Sequence, residues 1–287
     1  MSEAIKNRYD FVFLFDVKDG NPNGDPDQVN LPRADAEDQR GLVTDVCIKR
    51  KVRNYVMLEK IQDNELKAPF DIFIRQGQVL NNIIDSAPGD VVRQRQESLC
   101  ERYFDIRTFG AVLSTGERGA GTIRGPVQFT FSRSEDRIFQ AEHSITRCAV
   151  TTEEEAKKQE SREFASTFGR KTTVPYALYR MHGFVSAVDA AKTKFSEDDL
   201  KLLWKSLINA FEHDRAAARG EMNPRKLVIF RHNSHLGNEL SGRLFERVTV
   251  TKKAELPRGK DDYAIAVDKS NLPAGIEVTM WPEEAVF

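Results

Sequence analysis

At 287 residues the chain is long enough for two domains of about 150 residues, or for one domain carrying large insertions. Its 40% hydrophobic and 30% charged residues exclude a disordered or collagen-like chain, and a formal net charge of −1 excludes a uniformly basic nucleic-acid protein. The longest apolar run, Phe11 to Phe15, falls far short of the roughly 18 residues of a membrane helix.

Lys6, Arg8 and Asp10 stand where a signal peptide would need apolar residues, so the expected compartment is cytoplasmic, with no membrane partner. Tyr9 to Val17 (YDFVFLFDV) is aromatic and β-branched without a helical period, which predicts a buried strand ended by the turn-forming GNPNGDP. Charge is polarised just beyond it. Asp16 to Asp38 holds seven acids against two bases, and Arg40 to Lys60 six bases against two acids, so an acidic loop precedes a basic helix. Thr44 is placed to cap that helix. Ile48, Val52, Tyr55, Val56 and Glu59 share one of its faces, leaving Lys49, Arg50 and Arg53 largely on the other.

Phe70 to Arg75 (FDIFIR) predicts a second strand, the stretch to Ser114 short helices, and Gly116 to Gly125 a flexible connection before the strand PVQFTFS. The three cysteines, Cys47, Cys100 and Cys148, are odd in number and widely spaced, so no disulfide framework or zinc site is expected. His143 to Thr152 and Thr172 to Met181 are strand-like. Between them, Glu153 to Lys171 is polar and carries the i,i+4 pairs Glu153/Lys157 and Glu154/Lys158, which predicts a projecting hairpin arm with a helical or mobile tip. Ser196 and Asp199 form a capping box for an amphipathic helix through Leu200, Leu203, Trp204, Leu207, Ile208 and Phe211, ending near Gly220. Lys226 to Arg231 reads as a strand, and Tyr263 to Val267 with Ile276 to Trp281 as a terminal pair. This order is that of a split βαβ, ferredoxin-like α+β fold with segments inserted in the middle.

Asp19, Asn21, Asn23 and Gly24 match the opening of a calcium-binding loop, but position twelve is Asn30 rather than a bidentate Glu and Pro22 interrupts the run. A structured turn fits these residues better than a metal site. His232 and His235 have a metal-compatible spacing without a third ligand nearby, and read as hydrogen-bonded histidines at a strand end. No nucleophile setting or phosphate-binding loop is present, so neither a catalytic reaction nor a cofactor is expected. The cationic stripe of Lys49, Arg50 and Arg53 suits a phosphodiester backbone, because each contact releases condensed counterions; a solvated helix face is the plain alternative. Arg107 to Arg124 offers a second place where backbone amides can approach phosphates. On the arm, Phe164 and Phe168 stand beside Arg170 and Lys171, fit either to tuck back onto the protein or to wedge against bases.

Several of these segments together resemble one family: RYDFVFLFDVKDGNPNGDP (Arg8 to Pro26), LVTDVCIKRKVRNYV (Leu42 to Val56), YFDIRTFGAVLS (Tyr103 to Ser114), RGPVQFTFSRS (Arg124 to Ser134), EHSITRCAVTT (Glu142 to Thr152) and NAFEHDRAAARGEM (Asn209 to Met222). They are similar to the Cas-seven backbone subunit of the type I-C CRISPR Cascade surveillance complex, the Csd-two family. The resemblance implies a modified RRM-like palm over residues 1–75, 122–140 and 176–287, a finger or web insertion over 76–121, and a thumb β-hairpin over 141–175. It also implies a non-catalytic protein that stacks with copies of itself along a CRISPR guide RNA and presents it to a target DNA strand. The other Cascade subunits, Cas-five, Cas-eight and the small subunit, are implied partners.

Carried over by the resemblance, Thr44, Lys49, Arg50 and Arg53 lie along the guide backbone, while Asp105, Phe109 and Gly110 are architectural. The expected RNA-binding set is Lys49, Arg50, Arg53, Asn21, Asn23, Arg107, Arg147, Arg170 and Lys171, with Phe164 and Phe168 as the thumb wedge and no metal ligand. The competing readings are a metal-dependent ribonuclease of the same RAMP-like fold using Asp16, Asp19 and Asp25, and a protein-only filament.

Overall fold

A strand made of consecutive large apolar residues has no polar side to show water, so it must be covered on both faces. The computed structural model, which describes residues 3–147, 149–160 and 168–286, puts that strand at the centre of an eight-stranded sheet. The strands are β1 (Tyr9–Gly20), β2 (Arg40–Val43), β3 (Val127–Phe129), β4 (Ser132–Arg137), β5 (Ala141–Thr146), β6 (Phe168–Val185), β7 (Glu221–His232) and β8 (Ile276–Trp281). Their order is β8-β7-β1-β6-β4-β2, with β3 and β5 also pairing β6. Each pairing is antiparallel, and Phe13 of β1 stands between Met181 of β6 and Leu227 of β7.

Eight α-helices accompany the sheet among the described residues: α1 (Asp45–Lys60), α2 (Leu80–Asp85), α3 (Val92–Arg102), α4 (Phe104–Phe109), α5 (Glu153–Glu160), α6 (Ala187–Thr193), α7 (Glu197–Ile208) and α8 (Ser241–Glu246). No described helix is long and apolar enough to cross a membrane. Alternation along β1 divides its side chains between two cores. Phe11, Phe13 and Phe15 pack with Ile48, Val52 and Val56 of α1 and with Leu200, Leu203 and Leu207 of α7. Val12 and Leu14 face the other way, toward Leu244 and Phe245 of α8, Val248 and Tyr263. Ring contacts tighten the helix side, Phe11 lying 4.9 Å from Trp204 and Phe15 stacking on Tyr179 at 5.4 Å. A third core, with Phe73, Ile84, Leu99, Tyr103, Ile106 and Leu113, lies under α2 to α4.

Both expected caps are present. Cys47 N–H donates to Thr44 Oγ1 at 3.3 Å, and Ser196 and Asp199 exchange reciprocal bonds at the start of α7, the pairing that satisfies otherwise orphaned amides of a first turn. Helix α7 ends at Ile208 rather than near Gly220. The segment Phe70 to Arg75 is not a strand: its amides go to carboxylates instead of a ladder, Ile72 N–H to Asp71 Oδ1 at 2.8 Å and Phe73 N–H to Asp105 Oδ1 at 2.8 Å. The two C-terminal segments are strands, but not with each other. Tyr263–Val267 pairs with Val248–Lys252, and β8 pairs with β7. The hairpin arm exists as β5 and the start of β6, with Lys171 opposite His143, and α5 lies between them in sequence.

On the sheet face away from α1, His182 stacks on Phe245 with ring centroids 4.1 Å apart and accepts a hydrogen bond from Arg180 Nε at 2.9 Å. Burial, and then the neighbouring guanidinium, push its pKa down to about 4. An imidazole whose folded pKa lies below its unfolded value contributes stability that is present above the unfolded pKa of about 6.5 and lost as pH falls from there toward the folded one. Urea denaturation at pH 7, 6, 5 and 4.5 should therefore show a steeper loss of stability in the wild type than in His182→Gln. Parallel pH profiles for the two proteins would show that His182 has no part in it.

Candidate nucleic-acid interface

A groove of about 1230 Å³ runs beside the first turns of α1. One wall is α1 itself, through Arg50, Lys51, Arg53 and Asn54; the other is Ile74, Arg75 and Gln76; the turn Asn21 to Gly24 and the loop Ala216 to Arg219 close its sides. Six cationic side chains line it, Arg33, Arg50, Lys51, Arg53, Arg75 and Arg219, and no carboxylate does. The balancing acids lie behind them. Asp25 pairs with Arg33 at 3.4 Å, Asp105 with Arg53 at 2.7 Å, and Asp214 with both Lys51 and Arg219, so the groove keeps three more cations than its supporting carboxylates neutralise. Arg50 and Arg75 are exposed. Clustered cations over low-dielectric walls focus a positive potential, and chemically such a groove favours an extended anion.

The walls are held together by one buried carboxylate. Asp105, in the first turn of α4 and 1% exposed, accepts from Arg53 Nε at 2.7 Å, from Phe73 N–H at 2.8 Å and from Ile74 N–H at 3.0 Å. It thus aims the guanidinium on α1 and fixes the backbone that carries Ile74, Arg75 and Gln76. Phe109, in the last turn of α4, lies under the cations of α1, its ring centre 5.6 Å from Lys49 Nζ and 5.4 Å from the Arg53 guanidinium carbon, a cation–π arrangement.

The asparagines of the turn are structural members of the groove. Asn23 Oδ1 accepts from both the amide and the hydroxyl of Thr44 at 3.0 Å, locking the turn to the N-terminus of α1. Asn21 is buried and its Nδ2 donates to the Asn30 carbonyl at 2.7 Å.

Of the cationic stripe expected on α1, Arg50 and Arg53 line the groove and Lys49 does not. Successive helix positions differ by about 100°, which turns Lys49 toward Phe109 and into an i,i+4 pair with Asp45 at 2.8 Å. Arg107 requires a correction. It is 1% exposed, forms a two-point ion pair with Asp199 at 2.7 and 2.9 Å, and donates to the carbonyls of Cys100 and Pro69, so it joins α4 to α7 and is sealed from any ligand. On the arm, Arg170 is exposed and pairs across the hairpin with Glu142, Arg147 bonds Glu155, and Lys171 Nζ donates to the Ala217 carbonyl at 2.6 Å. Phe164 lies outside the described residues; Phe168 pairs in backbone register with Thr146, and its side chain is outside them too.

Arg33, Lys51, Arg75 and Arg219 join the groove from four separate segments. Lys51, within LVTDVCIKRKVRNYV, and Arg219, within NAFEHDRAAARGEM, stood in segments with their own signal; Arg33 and Arg75 did not. The carboxylates of the ribonuclease reading are dispersed: Asp16 is buried under Tyr176, Asn223 and Arg225, and Asp25 faces Arg33. Among the described residues no three His, Cys, Asp or Glu side chains assemble as a metal-binding group. His232 bonds Asp10 and accepts from Asn238 N–H, anchoring a strand end.

The protein is thus of the class built as a helix-backed antiparallel sheet with a cationic groove along its first helix. The chain belongs to the family of CRISPR-associated protein Cas7, whose model matches residues 7–268. A CRISPR-associated protein Cas7 of Haloferax volcanii is 26% identical over 234 residues, 71% of this chain and 65% of the relative, so the match spans just under two thirds of that protein. Among solved structures, a chain of a CRISPR RNA-guided surveillance complex in a pre-nicking state is similar at 13% identity, covering 78% of each chain with a TM-score of 0.48. A chain of a type III-B Cmr-beta complex bound to cognate target RNA is similar at 14% identity, covering 78% of this chain and 61% of that one with a TM-score of 0.43.

Replacing Asp105 by Ala strands two amides and leaves Arg53 without its counter-charge, and breaking a buried pair from one side costs roughly 3–5 kcal/mol. Denaturant unfolding of Asp105→Ala should show a loss of that order, and an unchanged midpoint would remove Asp105 from its supporting role.

Proposed function

We propose that this chain is a non-catalytic backbone subunit of a CRISPR surveillance complex, of type I-C, that binds a guide RNA in the groove along α1. The observation that carries the reading is the composition of that groove: six cations and no carboxylate on its lining, in a chain of net charge −1. Membership of the Cas7 family supports it. A surface of this kind holds phosphates and leaves sequence readout to base pairing between guide and target DNA.

Copies of the chain stack along the guide, and the arm of β5 and β6 serves as the thumb. The ferredoxin-like reading of the palm is supported by the order β7-β1-β6 with α1 and α7 packed on one face. The separate core under α2 to α4 supports the assignment of 76–121 as an inserted finger or web. Cas-five, Cas-eight and a small subunit complete the proposed assembly.

Arg50 and Arg75 are the groove cations with no carboxylate in ion-pair range among the described residues, which makes them the sharpest probes. Arg50→Ala/Arg75→Ala should bind single-stranded RNA more weakly whatever its sequence. The slope of log affinity against log salt should fall in magnitude by about 1.4, at about 0.7 per phosphate contact. Fluorescence anisotropy across a salt series measures both. Wild-type affinity and slope in the double variant would overturn the groove as the guide site.

A further inference from the structure

The loop between α7 and β7 touches α1, the Asn21 turn and the root of the hairpin arm. Asp214 Oδ2 pairs with Lys51 Nζ of α1 and Oδ1 with Arg219 Nη1 at 2.6 Å, with Asn54 Nδ2 3.4 Å from Oδ1. Arg219 Nη1 also donates to the Asp214 carbonyl at 2.8 Å, closing the loop on itself. Further along, the Ala218 carbonyl accepts from Asn21 N–H at 2.7 Å, and the Ala217 carbonyl accepts from Lys171 Nζ at the root of the hairpin arm at 2.6 Å.

The loop is pressed hard against the end of β1. A Cβ at Gly20 would lie 1.8 Å from the Arg219 carbonyl oxygen, and one at Gly220, whose φ is +60°, would lie 2.4 Å from that of Lys18. A carbonyl can approach this closely only where the residue facing it lacks a side chain.

Lys51 is 2% exposed. Burial pushes its ammonium down from the usual lysine range, with the Asp214 hydrogen bond acting against that shift. An uncompensated buried ammonium is strongly unfavourable, so removing the carboxylate forces the helix or the loop to move.

We propose that Asp214 is a positioning residue for guide binding: it clamps the Ala216–Arg219 loop to α1, so that the groove and the root of the arm hold one fixed geometry. This rests on the groove being the guide site. Asp214 touches no guide in this scheme; it places Arg219 at the groove, keeps the Asn21 turn seated, and holds Ala217 where Lys171 meets it. The guide site and the arm are then coupled through one loop, and loosening the loop disturbs both.

Charge alone makes the opposite prediction, which is what makes the test decisive. Asp214→Asn removes a negative charge behind the groove, so a purely electrostatic role requires tighter RNA binding and a steeper salt dependence. The clamp requires weaker binding despite the added positive charge, by about tenfold, within the range of substitutions that act without touching the ligand. It also requires faster amide exchange in the arm, at residues 141–146 and 168–173.

The experiment uses the full chain and a single-stranded RNA of guide length, with anisotropy for affinity and hydrogen exchange for the arm. Glu212→Gln, which removes a charge from an exposed Arg215 pair on the same loop, is the control and should change neither readout. Should Asp214→Asn fail to fold, Asp214→Glu carries the test with the charge count unchanged: weaker binding with faster arm exchange supports the clamp, and wild-type values reject it. Equal or tighter binding by Asp214→Asn with unchanged arm exchange overturns the inference while leaving the guide site standing. Absence of RNA binding by the wild type overturns the proposed function itself.

Discussion

The groove depends on the Asp105 carboxylate. Its oxygens meet one cation from α1 and two backbone amides from the facing wall, and no other described contact joins those walls through a single group. A buried carboxylate satisfied by three donors is held in orientation as well as in charge. Its position therefore sets the separation between the α1 cations and the segment carrying Arg75. Phe109, one helical turn on in α4, supplies the surface on which Lys49 and Arg53 rest, and Arg107 on the same short helix ties that surface to α7. Six residues of α4 thus convert the packing of α7 into the placement of cations on α1.

The fold was legible where burial is two-sided or periodic. The aromatic run Tyr9–Val17 announced β1 because both its faces are covered, and the heptad-like spacing in α7 together with its capping box announced that helix. Phe70–Arg75 misled because FDIFIR has a strand's composition, while the distant Asp105 takes the amides a sheet would have needed. The terminal strands were legible as strands but not as partners, since register against β7 and against Val248–Lys252 is decided by tertiary packing that no local pattern encodes.

The site was legible only in part, for a geometric reason. Local spacing on a helix identified Arg50 and Arg53 together with Lys49, yet 100° per residue divides neighbours between different surroundings, and Lys49 fell to Phe109 and Asp45. Arg33, Arg75 and Arg219 converge from segments that sequence separates by more than forty residues at each step, and nothing local marks Arg33 or Arg75. Arg107 stood in a Gly- and Arg-containing stretch that looked like a phosphate contact; its burial follows from Asp199, which is both its ion-pair partner and the capping-box partner of Ser196 in α7. The acidic loop that precedes the basic helix was visible as a charge asymmetry. Only Asp16 of its acids is buried, under Arg225 and Tyr176; Asp25 on Arg33 and Asp35 on Arg133 are half-buried, and Asp19, Asp27 and Glu37 are exposed.

That distribution of acids explains how a chain of net charge −1 carries a strongly cationic groove. Carboxylates placed behind the groove cations, rather than among them, hold the long side chains in fixed geometries and leave the open side free of negative charge. Arg33, Lys51, Arg53 and Arg219 are of this kind, ordered by their partners before any ligand arrives, so the entropy of immobilising them is spent in folding rather than in binding. Among the described residues Arg50 and Arg75 have no carboxylate partner and face solvent, Arg75 Nε donating to Gln78 Oε1 at 3.0 Å. A groove built this way combines a preformed positive wall with two exposed cations, which suits a long ligand whose charges recur at a fixed spacing while the groups between them vary.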